Sequence, residues 1–509
     1  MSRRYITTAI PYVNSKPHLG FAMELVQTDV MARHWRHRGH DVRFLTGTDD
    51  NSLKNAIAAE AEGVPTGELV DRNAATFHDL RGPLQISFDD FIRTSADPRH
   101  KVGVDRLWQD TDESGDLYRK HYEGLYCVGC EQFYNESELV GGLCPEHLTA
   151  PQLVSEENWF FNLSRYEGRL RELIESGELR IEPESRRNEV LGFIKTGLQD
   201  FSISRSTERA RGWGIDVPGD PGQVVYVWWD ALGNYITALD YGTEGENYRR
   251  WWIDSDERTH VIGKGIVRFH AVYWPAMLMS AGQPLPTTIF VHDYLTVEGK
   301  KLGKSLGNAI DPVSIVDQYG ADALRWWLVR DVARVGDADY TTDRLVGRYH
   351  EDLANGLGNL VNRTVSMIHK YRGGTVPALP DQLPDLPLID AVSAAPAAVD
   401  AALDRFDFRQ ATAAVWKIVD EANRYVVAVA PWTLAKAEKN GDAEAAQKLN
   451  DALALLIRAT RTVAEELTPF LPEAAERVAT QLGSGGDQLA EAQPLFPRIE
   501  VKESDDTPA

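Results

Sequence analysis

The stretch Pro11-Tyr12-Val13-Asn14-Ser15-Lys16-Pro17-His18-Leu19-Gly20-Phe21 decides the fold of this 509-residue chain. An apolar run, Tyr5 to Ile10, precedes it, and Met23, Val26, Val30 and Met31 follow at helical spacing on the way to Trp35. That order predicts strand, loop and helix. A second extended run, Val42 to Thr46, makes the opening a βαβ unit, in which ligands sit at the carboxyl ends of the strands. Pro17 and Gly20 let a nucleotide lie close to the backbone, and the helix amino terminus beyond them favours phosphate. His18 becomes a candidate donor to charge developing on an α-phosphate.

Working outward, Lys301-Leu302-Gly303-Lys304-Ser305 lies in a predicted loop, after the strand-like Thr288 to Val291 and between the turn-rich pieces Val297 to Lys300 and Leu306 to Asn308. Three lysines within five positions, Lys300, Lys301 and Lys304, can neutralise a leaving pyrophosphate. Either stretch alone is equally a solvated loop. Their order, separation and contexts make them two halves of one ATP site.

A chain of this length holds about three structural units and a large core. No run of eighteen apolar residues exists and the amino terminus lacks a signal-peptide pattern, so a cytoplasmic protein without membrane association is expected. The net charge of -22 disfavours a uniformly nucleic-acid-binding surface, but a large enzyme can carry a basic track on an acidic body.

All three cysteines fall within Cys127-Val128-Gly129-Cys130 and Cys144-Pro145-Glu146-His147. A CxxC turn followed by a CxxH turn supplies three thiolates and an imidazole, a closed tetrahedral set for one structural zinc: Cys127, Cys130, Cys144 and His147. Reduced structural cysteines, or one disulfide with a spare thiol, are the alternatives; the odd count and a cytoplasmic setting weigh against the disulfide.

The two loops resemble the HIGH and KMSKS signatures of class I aminoacyl-tRNA synthetases. The text between them is similar to the methionyl-tRNA synthetase family at Thr7 to Asn14, Phe44-Leu45-Thr46-Gly47-Thr48-Asp49, Tyr226 to Tyr235 and Phe269 to Pro275, and the likeness runs from about Arg4 to the helices before Gly483. It implies an α/β, Rossmann-like catalytic domain in two parts, 1–112 and 223–290. Between them lies a connective peptide carrying the zinc knuckle, 113–222. A stem-contact region with the lysine loop spans 291–345, an α-helical anticodon-binding bundle 346–482 and an acidic tail 483–509, expected to be disordered after Pro497. No further domain is expected after the bundle, hence a monomer.

The resemblance further implies residue roles. His18, Lys301 and Lys304 would be catalytic, and Gly20, Gly263 and Ser305 would join them around ATP, which enters with Mg2+ as substrate. Ala9, Ile10, Tyr12, Trp228, Ala231, Leu232, Tyr235, Ile266 and His270 would line a methionine pocket, with Asp49 pairing to the substrate ammonium; on residue type alone the aromatic members are equally core. Asn359 and Arg363, four apart on one helix, with Trp432 on a later one, resemble an anticodon-reading trio for tRNA(Met). A ring would stack an unpaired base while the amide and guanidinium read its edge. Without the resemblance they read as a surface pair and a buried tryptophan.

The chain departs from the family pattern in four places. Phe21 stands for a second histidine, Asp49-Asp50-Asn51-Ser52 for Asp-Glu-His-Gly, Gly265 for an aspartate and Gly303 for a serine. A phenylalanine cannot donate to a phosphate oxygen, a loss of about 10²-fold in rate where such a donor acts. Three functions follow: methionyl-tRNA formation through methionyl-adenylate; adenylation of methionine or a relative for a small-molecule acceptor; or a non-catalytic RNA-binding relative. Intact His18 and Lys304 disfavour the last, and the trio favours the first over the second.

Overall fold

The computed structural model describes residues 1–129, 131–145, 148–302, 308–483 and 486–500. The chain divides into two compact units, one of residues 1–82, 86–294 and 303–311, the other of 83–85, 295–302 and 312–509.

In the first unit six strands form a parallel sheet: β1 (Arg3–Thr8), β2 (Asp41–Thr48), β3 (Asp90–Arg93), β4 (Arg180–Glu182), β5 (Glu257–Gly263) and β6 (Thr288–His292), in the order β3-β2-β1-β5-β6-β4. All of β6 is buried, as a strand covered on both faces must be. The path runs outward from β1 through β2 to β3 and then resumes at β5 on the other side of β1. That reversal opens a crevice at the carboxyl ends of β1 and β5. Ala9, Asp49, Gly263 and His292 end or follow β1, β2, β5 and β6 there.

Helix α1 (Leu19–His37) joins β1 to β2 and is buried on nearly every side; Gly39, at φ +80°, turns the chain out of it. The segment expected as an insert builds a four-stranded sheet in which Leu117–Cys127 pairs antiparallel with Gln152–Phe161. One piece of it returns to the main sheet: β4 adds to the edge of β6, held by the buried side chain of Ile181.

The second unit begins with a hairpin, Leu295–Val297 against Lys300–Lys301, closed by Glu298 and Gly299 at positive φ, as a two-residue turn requires. Helices follow over Ala321–Arg330, Thr342–Arg348, Asn359–Arg372, Pro387–Leu403, Phe408–Val429, Pro431–Lys439, Ala443–Leu467 and Pro472–Gln481. Prolines open three of them and Asp407 and Asp442 cap two. The tail is held up to Pro497, the expected start of disorder, and a few residues past it. Val376 N–H donates to Asp487 O at 2.7 Å, Tyr349 Oη to Pro497 O at 2.9 Å and Ile499 N–H to His350 Nε2 at 3.0 Å, while Leu489, Leu495 and Phe496 are buried. Three apolar anchors in a polar stretch hold it down through Glu500; residues 501–509 lie outside the described ones.

Arg325 is fully buried in this unit and donates to three carbonyls, Phe470 O at 2.9 Å, Leu84 O at 2.8 Å and Pro469 O at 3.2 Å. Arg325→Met would leave those acceptors dry, at a cost of about 3 kcal/mol or more. Urea unfolding of the variant should show that loss; an unchanged midpoint would refute the assignment.

Candidate active site

The first turn of α1 satisfies its own amides. His18 is the N-cap: its Nδ1 accepts from Gly20 N–H at 3.0 Å, and its carbonyl accepts from Phe21 and Ala22. Leu19 N–H donates to Ile310 O at 2.9 Å, which brings the segment beyond the lysine loop to this helix end. With Nδ1 an acceptor, the ring proton of the tautomer sits on Nε2. The amides of Leu19 and Gly20 are thus both engaged within the protein. Gly20 has a steric reason, because a Cβ there would lie 2.9 Å from His18 Cε1.

An aromatic cluster gathers residues of three separate segments. Trp228 stacks on Phe269 with ring centroids 3.8 Å apart, and Tyr12 and His270 each meet the Trp228 ring edgewise at 6.4 Å. Ala9, Ile10, Tyr12, Trp228 and Ile266 are only partly buried against the core, whereas Ala231, Leu232, Tyr235 and His270 are buried. Tyr235 Oη lies 2.7 Å from His270 Nε2, and His270 Nδ1 3.0 Å from Ile266 O. The ring thus donates from Nδ1 and accepts the tyrosine proton. Burial pushes the His270 pKa down to about 4 and holds Tyr235 well above the usual phenol range. His260, under Tyr235 at 4.1 Å, is likewise held well below its ordinary value by burial. The wall is aromatic, polarizable and uncharged.

Asp49 forms an isolated backbone bridge with Tyr12 and is 2% exposed, its Oδ1 accepting from Asn51 N–H at 3.3 Å. Burial first, then Asp230, Glu131 and Asp50, raise its pKa well above the carboxylate range. A buried carboxylate in that company favours a cation. Asp230, also fully buried, accepts from Asn51 Nδ2 at 3.1 Å, and Asp50 is held by Arg93, Ser95 and Thr48. Lys54 Nζ sits 5.0 Å from the centre of the Tyr12 ring. Gly263 closes β5 beside His292, whose Nε2 pairs with Glu24 at 2.8 Å.

Cys127 and Cys144 are both buried in a small cluster with Tyr134 and Leu139, a sulfur-lined core that fits half of a thiolate site. Among the described residues no group of three His, Cys, Asp or Glu could hold a metal; Cys130 and His147 lie outside them. So do Gly303, Lys304 and Ser305, while the Lys301 backbone pairs with Thr296.

In the second unit Asn359 and Arg363 are exposed on one helix, and the Arg363 guanidinium donates to Asn423 Oδ1 on Phe408–Val429. Val427, one turn beyond Asn423, is 67% exposed, and Trp432, on the next helix Pro431–Lys439, is 53% exposed. Trp432 is thus a surface ring, not a core one.

The family model described as tRNA synthetases class I (M) matches residues 4–152 and 147–365, and that of the anticodon binding domain of methionyl tRNA ligase matches 382–495. The chain belongs to the class I methionyl-tRNA synthetase family. It is 41% identical to the methionine-tRNA ligase of Caldanaerobacter subterraneus subsp. tengcongensis, over 98% of this chain and 79% of that one. It is also 41% identical to that of Brucella suis biovar 1, over 98% of each chain. The Mycobacterium tuberculosis methionyl-tRNA synthetase in complex with methionyl-adenylate has a similar structure, with a TM-score of 0.91 at 39% identity, covering 98% of this chain and 100% of that one.

As a methionyl-tRNA synthetase family member, the chain places its departures unevenly. Phe21 turns into the core, 8% exposed and edge-on to Phe77 at 5.4 Å, so it is a packing residue. Asn51 bridges Asp49 and Asp230, and exposed Gly265 sits in the tight turn Lys264–Ile266 after β5. Sequence reading missed Asp230, Glu131, Lys54 and Asn423. Only Asp230, inside the Tyr226 to Tyr235 block, carried a signal.

Asp49 also sets a pH signature. A carboxylate with a raised folded-state pKa makes the folded state the better proton binder, so its contribution is full below about pH 4 and is lost as pH rises through the raised value. Asp49→Asn should stabilise the ligand-free protein at pH 8 by about 1–2 kcal/mol, with the gap closing toward pH 4. Thermal unfolding across that range measures it; identical curves would contradict the buried charge.

Proposed function

We propose that this chain is a methionine-tRNA ligase. The reading rests on three features of the catalytic unit: an uncharged aromatic cluster of Tyr12, Trp228, Tyr235 and His270, a buried carboxylate at Asp49 that pairs by its backbone with Tyr12, and the capping imidazole of His18. A side chain with a formal charge would lose its hydration in that wall without gaining a partner. A neutral thioether is matched by it, together with Ala9, Ile10, Ala231, Leu232 and Ile266. The α-ammonium pairs with Asp49, which orients the carboxylate toward the nucleotide.

In the first step a methionine carboxylate oxygen attacks the α-phosphorus of Mg2+-bound ATP, and the bond to the β-phosphate oxygen breaks to release pyrophosphate. His18 donates from Nε2 to the charge on the α-phosphate oxygens, while Lys301 and Lys304 neutralise the departing pyrophosphate. Gly20, Gly263 and Ser305 complete the nucleotide contacts. In the second step a hydroxyl of the terminal tRNA ribose attacks the acyl carbon and AMP leaves. Trp432 stacks an anticodon base, and Asn359 and Arg363 read its edge. Cys127, Cys130, Cys144 and His147 would hold one structural zinc, which would tie the two turns of the knuckle together. We further infer a cytoplasmic monomer; among the described residues no helix is long and apolar enough to cross a membrane.

Methionine-dependent exchange of pyrophosphate into ATP, followed by acid-precipitable charging of tRNA(Met), tests the function. Exchange without charging would move the chain to the class that serves a small-molecule acceptor. Trp432→Ala should lower charging about 10- to 100-fold, given about 1–3 kcal/mol per stacked base, with exchange unchanged; equal losses in both would refute the RNA role. Metal analysis should give about one zinc per chain, lost in Cys127→Ser. A folded, metal-free protein would refute the knuckle.

A further inference from the structure

Glu131 follows the first knuckle turn, yet its side chain leaves the knuckle. It is 2% exposed and its backbone is in the left-handed region, φ +56°, a conformation a glutamate adopts only when its surroundings impose it. Its Oε1 accepts from Ser52 Oγ–H at 2.6 Å and from Lys54 N–H at 3.3 Å. Its own carbonyl accepts from Tyr226 Oη. Ser52 is also the N-cap of Leu53–Glu62, its Oγ accepting from Lys54 N–H at 3.1 Å.

The clamped loop carries the amino-acid site. Three residues before Ser52 is Asp49, whose Oδ1 accepts from Asn51 N–H, while Asn55 Nδ2 donates to the carbonyls of Asp49 at 3.1 Å and Asp50 at 2.8 Å. Two residues after Ser52 is Lys54, whose cation lies over the Tyr12 ring. Glu131 therefore grips the one segment that sets both the carboxylate for the ammonium and the support of the pocket's aromatic wall. The Ser52 hydroxyl makes the shorter of the two bonds in that grip, and it stands where the family pattern has glycine, which has no side-chain donor.

We propose that Glu131, acting through Ser52, is a positioning residue for amino-acid binding, so that the knuckle and the ammonium site are held as one piece in this chain. The inference rests on the methionine-activating reading above. The hydrogen bonds hold the loop before substrate arrives, so they act on the affinity for methionine rather than on the transfer step. ATP, held elsewhere in the crevice, is bound without their help.

The test measures KM for methionine, KM for ATP and kcat in pyrophosphate exchange, with methionine Kd by calorimetry and zinc content, on the full chain. Ser52→Gly and Glu131→Ala should each raise KM and Kd for methionine about tenfold, the cost of one charge-assisted hydrogen bond, with kcat and KM for ATP little changed. Glu131→Gln keeps an acceptor oxygen and should restore the affinity. The double variant Ser52→Gly, Glu131→Ala should cost less than the sum of the two single variants, because either substitution already removes the Ser52–Glu131 bond. Unchanged methionine affinity in a folded, zinc-bearing Glu131→Ala, or full additivity in the double variant, overturns the proposal. If Glu131→Ala fails to fold, Ser52→Gly, outside the knuckle, decides by the same KM. Absence of methionine-dependent exchange in the unsubstituted protein overturns the function and this inference together; normal exchange there with unmoved variants overturns this inference alone.

Discussion

The amides at the start of Leu19–His37 need acceptors, and the way they find them organises the catalytic unit. Gly20 N–H takes the His18 ring, which locks the imidazole with its proton on the far nitrogen; Leu19 N–H takes Ile310 O, which ties a segment from the far side of the lysine loop to the same point. A few residues along, Glu24 joins β1 to β6 by accepting from Ala9 N–H at 2.8 Å and pairing with His292. Strand ends distant in sequence are thus fixed around one helix end, and the geometry of the donor is settled before any nucleotide is present.

The acyl slot is organised by an opposite economy of charge. Its walls are titratable groups kept neutral by burial, His260, His270 and Tyr235 alike. Its one end is a carboxylate kept among other buried acids, Asp50, Glu131 and Asp230. Such a cluster is unfavourable in the empty protein and is relieved by a cation, so stability is given up where binding is gained. The same logic confines polar recognition to the ammonium and leaves the side chain to be chosen by shape, where one methylene is worth only about 1–3 kcal/mol.

Much of this was legible in the sequence where local pattern and chemistry coincide. The apolar run before Pro11 and the helical spacing after Gly20 give β1 and α1, and the helices from Val346 onward follow from periodicity, prolines and caps. What was not legible arises from tertiary packing. Nothing local marks Arg180–Glu182 as a sheet edge, because its partner Thr288–Phe290 is over a hundred residues away. Leu495 and Phe496 are two apolar residues in a polar tail, too few for a pattern but enough to dock it. Phe21 read as a lost phosphate donor because its neighbour Phe77 could not be seen. Lys54, Glu131 and Asn423 are ordinary surface residue types whose meaning comes only from what they meet.

The most direct test of the whole account is a crystal structure of the protein with a non-hydrolysable methionyl-adenylate analogue. The account expects the ammonium within hydrogen-bond distance of Asp49, the thioether among Trp228, Tyr235 and His270, and the phosphate-mimicking group at His18 Nε2. An analogue bound with its side chain outside that slot, or with His18 turned away from the phosphate position, would contradict it.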